Sequence, residues 1–403
     1  MTSILKSDFP ILQKKIRDEN ITYLDTASSS QKPLAVINSI SDFYLNSYEN
    51  VHRGMNSLSI DATEAFEGTR ETVRKFINAK SSNEIIFTKN ATEGCNIIAN
   101  AFSSILKEGD EIITTELEHH SNFLPWQSLS KKNNLNLKII SLNKKGIISE
   151  EDIINAITDK TKLVAISQMS NVTGQIFDIK NIKKKSNSKA LFFIDGCQSI
   201  AHMKVDVHDL DCDFFVFSSH KLYGPSGIGV LYGKESILNN LPAVVLGGGM
   251  ITNVELDDFT PALLPNKFEA GTPPIEATVG LSTAINYLKD KDFYSFFDYE
   301  IKLRTILIEE LKILGNIDIY GNDEYTPASS IVSFNVHGKN HNDIATFLDQ
   351  YGVMIRSGHH CCQPFMKKIN IPGSCRVSFG IYNSEEDIEI FLKSLKKTIK
   401  LLS

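Results

Sequence analysis

The sequence is poor in several features that would place the protein in a specialised class. Arginine occurs only seven times in 403 residues, the net charge is -6, and the longest basic run covers Lys183 to Lys185. A chain with this charge balance has no electrostatic footprint for nucleic acid, so we expect no nucleic-acid partner. The sequence also contains no run of about 18 apolar residues. We therefore expect that the chain does not span a membrane.

Cysteine is present but follows no pattern. The six cysteines are irregularly spaced and form no CxxC pair: Cys95, Cys197, Cys212, Cys361, Cys362 and Cys375. In a chain this long they indicate free thiols in a reducing compartment rather than a disulfide framework. The opening stretch MTSILKSDFPILQKK lacks the basic region, apolar segment and cleavage site of an export signal, so we expect a cytoplasmic protein.

Seven short apolar runs alternate with helix-length segments between about residue 80 and residue 235. They read EIIFT, EIITT, LKIIS, KLVAIS, LFFID, DFFVFS and GIGVLYG. Runs that are apolar throughout, rather than alternating, are typical of strands buried on both faces of a mostly parallel sheet. The sequence therefore predicts an α/β fold in this region.

The length of the chain exceeds what one hydrophobic core usually holds, which predicts two domains. After a Gly/Pro-rich stretch, helical patterns are followed by short strands at SSIVSFNV, VMIR and CRVSF and by a final amphipathic helix from Ser384. This order is typical of a smaller α+β domain. We expect an N-terminal arm or helix in residues 1–20, a large α/β domain in residues 21–275, and a small C-terminal domain in residues 276–403.

Polar side chains follow two of the predicted strands at their C-terminal ends, where ligands bind in sheets of this kind. LFFID ends in Asp195, with Gln198 three residues later, and DFFVFS ends in Ser218, shortly before His220 and Lys221. A lysine at a buried strand end indicates either a structural ion pair or a functional amine, because an ammonium group is costly to bury alone.

A third polar cluster is the stretch FTKNATEGCN, in which a strand and a small-residue turn precede a helix expected to begin near Thr92. The free N–H groups and positive dipole end of such a helix suit a phosphate group, although an ordinary N-cap would give the same pattern. A phosphate seat, a strand-end carboxylate and a strand-end lysine together are what pyridoxal 5'-phosphate needs, because the lysine holds its aldehyde and the carboxylate keeps its pyridine nitrogen protonated.

Seven motifs, in order, resemble the class V aminotransferase group of fold-type I enzymes: NATEGCN, ELEHHSNFLPWQ, SNVTG, DGCQS, SSHKLYGPSGIGVLY, FEAGTPP and RSGHHCCQP. Within this group the chain is most similar to the SufS-type (group II) cysteine desulfurases and selenocysteine lyases. The resemblance covers about nine-tenths of the chain, from YLDTASSSQKP to CRVSFGIYNSEEDIE. It implies the PLP-dependent transferase fold of type I, with a mostly parallel seven-stranded sheet in the large domain, and a homodimer whose sites are completed across the interface.

The resemblance also implies a role for each matched residue. Lys221 matches the Schiff-base lysine and Asp195 the partner of the pyridinium nitrogen. Gln198 would hydrogen-bond the ring 3'-oxygen, while His119 would stack on the ring and relay protons. Residues matched to the phosphate site are Ala91, Thr92, Ser218 and His220, and Thr272 resembles the residue that the partner subunit donates. Residues matched to the substrate carboxylate are Asn171 and Arg376, while Arg356 and His52 lie in motifs that line the active-site entrance.

The stretch RSGHHCCQP raises the question of a metal site, because it places His359 and His360 directly before Cys361 and Cys362. Adjacent residues of an extended segment point to opposite faces, so four consecutive ligands converge poorly on one tetrahedral ion, and we predict no metal. A vicinal disulfide would need a strained ring. A nucleophilic thiol is the remaining interpretation, with the neighbouring histidines and Arg356 lowering its pKa. The resemblance places this nucleophile at Cys361 and leaves Cys362 as a neutral occupant or a second thiol.

The activity implied by the resemblance is the PLP-dependent conversion of L-cysteine to L-alanine, with the sulfur left as a persulfide on Cys361. An acceptor protein of the SufE or SufU type would then carry this sulfur to iron-sulfur cluster assembly. Selenocysteine lyase activity on L-selenocysteine at the same site is one alternative, and a non-catalytic scaffold is another. The presence of Lys221, Asp195 and Cys361 in one chain argues against a scaffold.

Overall fold

A computed structural model describes residues 5–321 and 326–402. The strands in these ranges are β1 (Lys15–Ile16), β2 (Glu19–Asn20), β3 (Thr22–Tyr23), β4 (Ile85–Thr88), β5 (Glu111–Thr115), β6 (Asn136–Ile140), β7 (Thr161–Ser167), β8 (Leu191–Asp195), β9 (Phe214–Ser218), β10 (Gly229–Gly233), β11 (Ile251–Val254), β12 (Phe259–Pro261), β13 (Ile317–Tyr320), β14 (Ile331–Val336), β15 (Val353–Met354), β16 (Arg356–Gly358) and β17 (Ser374–Ser378).

The helices in the same ranges are α1 (Leu34–Asn46), α2 (Ser57–Phe76), α3 (Ala91–Phe102), α4 (Leu124–Asn133), α5 (Glu150–Ala156), α6 (Ile179–Ser186), α7 (Glu235–Leu238), α8 (Ile275–Asp290), α9 (Ser295–Leu314), α10 (His341–Asp349), α11 (Gln363–Lys368) and α12 (Glu385–Leu401). Within the described part of the chain, no helix combines the length and the apolar character that crossing a bilayer requires.

The central sheet contains seven strands in the order β4-β10-β9-β8-β7-β5-β6. Only β10 runs against its two neighbours, and the other pairs are parallel. Each of the seven apolar runs singled out in the sequence forms one of these strands. The prediction of an α/β fold with a mostly parallel seven-stranded sheet is therefore confirmed.

The central strands are buried on both faces. Phe193 and Val216 pack into one apolar cluster together with side chains of α3 and α4. Their chain neighbours Phe192 and Phe215 point to the other face and join the second cluster, which includes residues of α2, α6 and α8. Because both faces are covered by helices, these strands have no polar alternation, which is why their sequences read as continuous apolar runs.

A second sheet forms the C-terminal part, with four antiparallel strands in the order β13-β14-β17-β16. It packs with α9, α10 and α12 around a third apolar cluster. Helix α12 begins as expected after Ser384, which caps it reciprocally with Asp387. The prediction of a C-terminal α+β unit is confirmed.

Two contacts link the N-terminal residues to the C-terminal part. Strand β3 pairs in parallel with β15, and Asp25 bridges to Ser378 at the end of β17. Helix α8, with which the small domain was expected to start, packs against α1 and α2. The division at residues 1–20, 21–275 and 276–403 stays a prediction.

Candidate active site

The candidate active site is a cavity of about 230 Å3 at the carboxyl edge of the seven-stranded sheet. Most of the residues predicted from the sequence line it together: Ala91, Thr92, His119, Asn171, Asp195, Ser218, His220, Lys221, Arg356, Cys361 and Arg376. They follow the ends of β4, β5, β7, β8 and β9 or belong to the small sheet and its loop. Parallel strands end at one edge, so this convergence follows from the topology.

Lys221 closes a short 3-10 turn that follows β9. Among the described residues no carboxylate forms a salt bridge with its ammonium group. The structural ion pair that the sequence left open is therefore not the explanation for this lysine. Its amine faces a cavity that also contains the carboxylate of Asp195, the last residue of β8, which is only 5% exposed.

Gln198 lies beside the cavity but does not line it. Its Nε2 donates a hydrogen bond of 2.8 Å to the carbonyl oxygen of Ala27, which does line the cavity. In this structure Gln198 fixes the N-terminal segment at the site. Its predicted contact with a ring oxygen remains untested.

The N-terminus of α3 forms one wall of the cavity. Asn90 caps the helix by accepting a hydrogen bond of 3.0 Å from the amide of Glu93. The amide of Ala91 donates to Ser218 Oγ at 2.9 Å, and the Thr92 hydroxyl lies 2.6 Å from Ser121 Oγ. A helix start surrounded by hydroxyl groups is suited to bind a phosphate, because its amides and its dipole both favour an anion.

His119 occupies the turn after β5, and its protonation state follows from its contacts. Its Nδ1 accepts a hydrogen bond of 3.1 Å from the amide of Ser121, so the neutral ring carries its proton on Nε2. Burial, with the positive charges of Lys221, His120 and Arg376, lowers the pKa of His119 to about 3. The ring is therefore neutral at physiological pH.

Arg376 is a buried cation that does not use all of its hydrogen-bond donors. It is 3% exposed, and its guanidinium donates to the Asn171 carbonyl at 2.8 Å and to Asp25 Oδ1 at 3.1 Å. Its Nε has no hydrogen-bond partner in the described ranges. A buried donor without a partner is costly, and a substrate carboxylate in the cavity would supply the missing acceptor.

The thiol loop, residues 359–362, follows directly after β16. His360 and Cys361 have positive φ values of 50° and 54°, a conformation that side chains other than glycine rarely adopt. Two of its backbone carbonyls accept hydrogen bonds from outside the loop: Asn171 Nδ2 donates to the His360 carbonyl at 2.7 Å, and the His120 amide donates to the Cys361 carbonyl at 2.7 Å. The loop is therefore fixed by the large sheet.

The polar side chains of the thiol loop point in different directions. His360 is buried and its Nε2 lies 3.0 Å from Ser374 Oγ, while the exposed His359 ring lies 5.7 Å from the His120 ring. Burial and the charge of Arg376 lower the pKa of His360 to about 2. Of the two histidines, only His359 is exposed to solvent.

The two adjacent cysteines have different environments. Cys361 is partly exposed and lines the cavity. Cys362 has no exposed surface, belongs to the main apolar cluster, and its thiol lies 3.5 Å from the Glu116 carbonyl. Burial raises the pKa of the Cys362 thiol. Only Cys361 is placed to act on a molecule in the cavity.

Two predicted site residues lie elsewhere. His52 and Thr272 line a second cavity of about 160 Å3, on the other side of the start of α3. Both are separated from Lys221 and Cys361 of the same chain. The segment after Glu269 brings Thr272 to this second cavity, where it meets His52 from a distant part of the sequence.

Sequence reasoning missed several residues that build the site. Residues lining the cavity without having been predicted are Ala27, Ser28, Asn90, Ser121 and Cys197. His360, predicted only as a neighbour that lowers the pKa of the thiol, also lines it. Asp25, which binds Arg376, was also missed. Ser121 stands two residues after His119, and Asn90 lies just before the expected start of the helix near Thr92, so both had a local signal. Asp25 had none, because its partner lies 351 positions away.

The family model for class V aminotransferases matches residues 22–391. Among curated proteins, the chain is similar to a probable cysteine desulfurase of Staphylococcus epidermidis, with 44% identity over 98% of this chain and 96% of the relative. A probable cysteine desulfurase of Halalkalibacterium halodurans is 43% identical over 98% of this chain and 97% of the relative.

Solved structures give the same picture. An apo cysteine desulfurase from Thermococcus onnurineus NA1 superimposes with a TM-score of 0.93, at 38% identity and 98% coverage of both chains. The cysteine desulfurase CsdA from Escherichia coli gives a TM-score of 0.91, at 32% identity, covering 100% of this chain and 99% of the other.

Proposed function

The chain belongs to the class V aminotransferase family, and we propose that it converts L-cysteine to L-alanine while Cys361 takes up the sulfur. It is a cysteine desulfurase that depends on pyridoxal 5'-phosphate. One observation carries the assignment of residues: Lys221, without an ion-pair partner in the described ranges, and the partly exposed Cys361 line the same cavity.

The residues present fit this cofactor. The cavity combines a lysine free to react with an aldehyde, the buried carboxylate of Asp195, and the start of α3 with Ser218 and His220 beside it. When bound, the cofactor supplies an electrophilic carbon for the substrate amine and a ring that withdraws electrons. Asp195 would hold the ring nitrogen, and the helix start would hold the phosphate.

The remaining chemistry belongs to side chains of this protein. Arg376, which lines the cavity, would donate a hydrogen bond to the substrate carboxylate and orient the Cα–H bond. Lys221 Nζ would take the Cα proton. The neutral ring of His119, with its proton on Nε2, can donate a hydrogen bond without adding charge to the cavity.

Cys361 would complete the reaction as a thiolate. Its Sγ forms a bond with the substrate sulfur, the Cβ–S bond breaks, and the electron pair of that bond stays with the carbon fragment. This fragment takes up a proton at Cβ, in place of the one that the Cys361 thiol lost, regains a proton at Cα and leaves as alanine. The His359 ring, whose Nδ1 accepts a hydrogen bond of 3.2 Å from the Cys361 amide, is the exposed histidine of the loop. The product on the protein is a Cys361 persulfide.

A homodimer would complete each site. Val245, which lines the second cavity, is 44% exposed, and further large apolar side chains of the chain are 60 to 109% exposed: Leu45, Met55, Leu246, Leu256 and Leu263. Apolar patches of this kind mark interfaces. A second subunit would cover them and receive Thr272 and His52 at its own cavity. Sedimentation analysis of the purified protein tests this, and a monomer at micromolar concentration would contradict it.

The persulfide needs an acceptor. Cys361 is partly exposed on its loop, which supports transfer of the sulfur to a protein of the SufE or SufU type and from there to iron-sulfur cluster assembly. All six cysteines are free thiols, which supports a reducing compartment such as the cytoplasm.

The deciding experiment measures alanine and sulfide formed from L-cysteine in the presence of a reductant. Cys361→Ser should lose turnover but keep the absorbance of the bound cofactor. Cys375→Ala, which removes a buried thiol from β17, is the matched control and should keep turnover. Full turnover by Cys361→Ser would contradict the role of the thiol loop, and failure of the wild type to form alanine would contradict the proposed function.

A further inference from the structure

Arg70 of α2 is a fully buried arginine that uses all of its hydrogen-bond donors. Its Nε donates to Glu67 at 2.8 Å, and Nη1 donates to the Ile85 carbonyl at 2.8 Å and to Glu269 at 2.6 Å. Its Nη2 donates to Glu67 at 3.3 Å and to Glu269 at 2.9 Å. A guanidinium group has five N–H donors, so none is left without a partner.

This guanidinium joins the two segments that line the second cavity. Glu269 binds it through both carboxylate oxygens and also accepts the amide of Phe87 at 2.7 Å. Two residues further, Gly271 has a φ of 87° and leads into Thr272. On the opposite side, Glu67 accepts a hydrogen bond of 2.9 Å from His52 Nε2. His52 and Thr272 are thus connected through Arg70.

The connection is rigid, and no other residue type reproduces it. The guanidinium carbon lies 4.5 Å from the centre of the Phe87 ring and 5.3 Å from that of Phe66, while the His52 ring packs edge-on against Phe66. A lysine would keep the charge but would offer three donors on a single nitrogen, which cannot bind two carboxylates and a carbonyl in this plane. Removing Arg70 would leave the Glu269 carboxylate, which is only 9% exposed, without its cationic partner.

We propose that Arg70 is a positioning residue that holds His52 and Thr272 as one unit and presents them to the active site of the second subunit. The inference rests on the proposed dimer. Arg70 itself contacts neither cavity that was described, so its effect on the reaction passes through Glu67 and Glu269.

The first test compares Arg70→Lys with Arg74→Lys. Arg74 lies one turn further along the same helix and also binds a glutamate three positions earlier, Glu71, at 2.6 Å, but it contacts neither segment. Amide hydrogen exchange of the free protein should accelerate about tenfold in residues 269–272 for Arg70→Lys only. Unchanged exchange there would overturn the proposal. Glu269→Gln breaks the same contact from the other side and serves if Arg70→Lys does not fold.

The second test uses hybrid dimers and shows in which subunit Arg70 acts. Arg70→Lys alone should lower kcat/KM by about 10- to 100-fold, because small misplacements of site residues have effects of this size. In a hybrid dimer of an Arg70→Lys chain and a Cys361→Ser chain, the first chain supplies an intact Cys361 and the second chain an intact Arg70. One of the two sites therefore combines Cys361 of one subunit with Arg70 of the other. It should regain about half of the wild-type activity per dimer, by the count of intact sites.

A hybrid that stays as slow as Arg70→Lys would overturn the proposal, because Arg70 would then act within its own subunit. The wild-type/Cys361→Ser hybrid is the control, and its half activity does not depend on Arg70. If the wild type itself made no alanine, the proposed function would fail, whereas the exchange measurement would still decide whether Arg70 fixes the two segments.

Discussion

The active site is built from two regions that hold their side chains in different ways. At the edge of the seven-stranded sheet, Asp195 and Ser218 end their strands, Lys221 closes the short turn that follows, and buried strands on both sides fix this backbone. In the thiol loop, His360 and Cys361 have unfavourable positive φ values and are held by hydrogen bonds from His120 and Asn171. The sheet positions a residue through its own strand, and the loop depends on contacts with the sheet.

This difference matches the different tasks of the lysine at the sheet edge and of the thiol on the loop. A lysine that binds a cofactor and removes a proton benefits from a fixed backbone. A thiol that receives sulfur and gives it to another protein must be reached from outside, and a short segment held by a few hydrogen bonds allows this. The loop therefore places two neighbouring cysteines in opposite environments.

The largest expected effect lies at the sheet edge. Lys221→Ala should lower alanine formation by about 10⁴-fold, because it removes the group that moves the Cα proton. Lys234→Ala removes a lysine that follows β10 of the same sheet but forms ion pairs with Asp211 and Asp213, and it should keep turnover. A Lys221→Ala variant with more than about a tenth of wild-type turnover would show that the proton is moved by another group.

The next effect tests the anchor between the two regions. Asn171→Ala removes the donor to the His360 carbonyl and should lower kcat by about 10- to 100-fold, because Cys361 loses its position. Iodoacetamide labelling of Cys361 should also accelerate in the variant. A large increase in KM without a change in kcat or labelling would show instead that Asn171 holds the substrate carboxylate.

Asn335→Ala is the matched control for this comparison. Asn335 also donates a side-chain hydrogen bond to a backbone carbonyl, that of Gly373 at 2.8 Å, but it does not line the cavity. We expect wild-type kcat and labelling rates for it.

Sequence reasoning was strongest where local patterns determine structure. The seven strands were predicted because burial on both faces makes them apolar throughout, and their polar end residues, such as Asp195 and Lys221, then follow from the topology. Helix α12 was predicted from its amphipathic pattern and its start at Ser384. In each case the information lies within about ten residues of the chain.

Other features depend on residues that are far apart in the sequence. Cys362 is buried although its neighbour Cys361 is partly exposed, because the loop packs on Glu116 and the large core. The exposed hairpin of β11 and β12 has no alternating pattern to predict it. The link from His52 through Arg70 to Glu269 spans more than half of the chain, and no local pattern encodes it.

A smaller, pH-dependent effect is expected at the sheet edge. Lys32 Nζ donates to the carbonyl oxygens of Ser30 and His220 at 2.5 and 2.9 Å, and burial lowers its pKa to about 7. In the unfolded chain a lysine titrates near about 10.4. Between these values the unfolded chain binds one proton more than the native protein, so the free energy of unfolding rises as the pH increases from about 7 to about 9.

Lys32→Met should lack this part of the pH dependence, because it has no proton to bind in either state. Urea unfolding of both proteins at pH 7 and pH 9 measures the difference, and groups common to both cancel in the comparison. Equal slopes for the two proteins would mean that Lys32 stays protonated in the native state over this range.

The smallest effect is expected for Cys362 of the thiol loop. Its neighbour Cys361 is a residue whose substitution should have one of the largest effects. Cys362→Ala removes a fully buried thiol whose nearest polar contact is the Glu116 carbonyl, and it should lower the free energy of unfolding by about 1 kcal/mol. Turnover and the amount of persulfide on Cys361 should not change, because burial keeps the Cys362 thiol protonated and away from the cavity. Urea unfolding measures the free energy of unfolding, and mass spectrometry of the loop peptide after a single turnover measures the persulfide. A loss of turnover similar to that of Cys361→Ser would show that both thiols handle sulfur and that burial does not separate them.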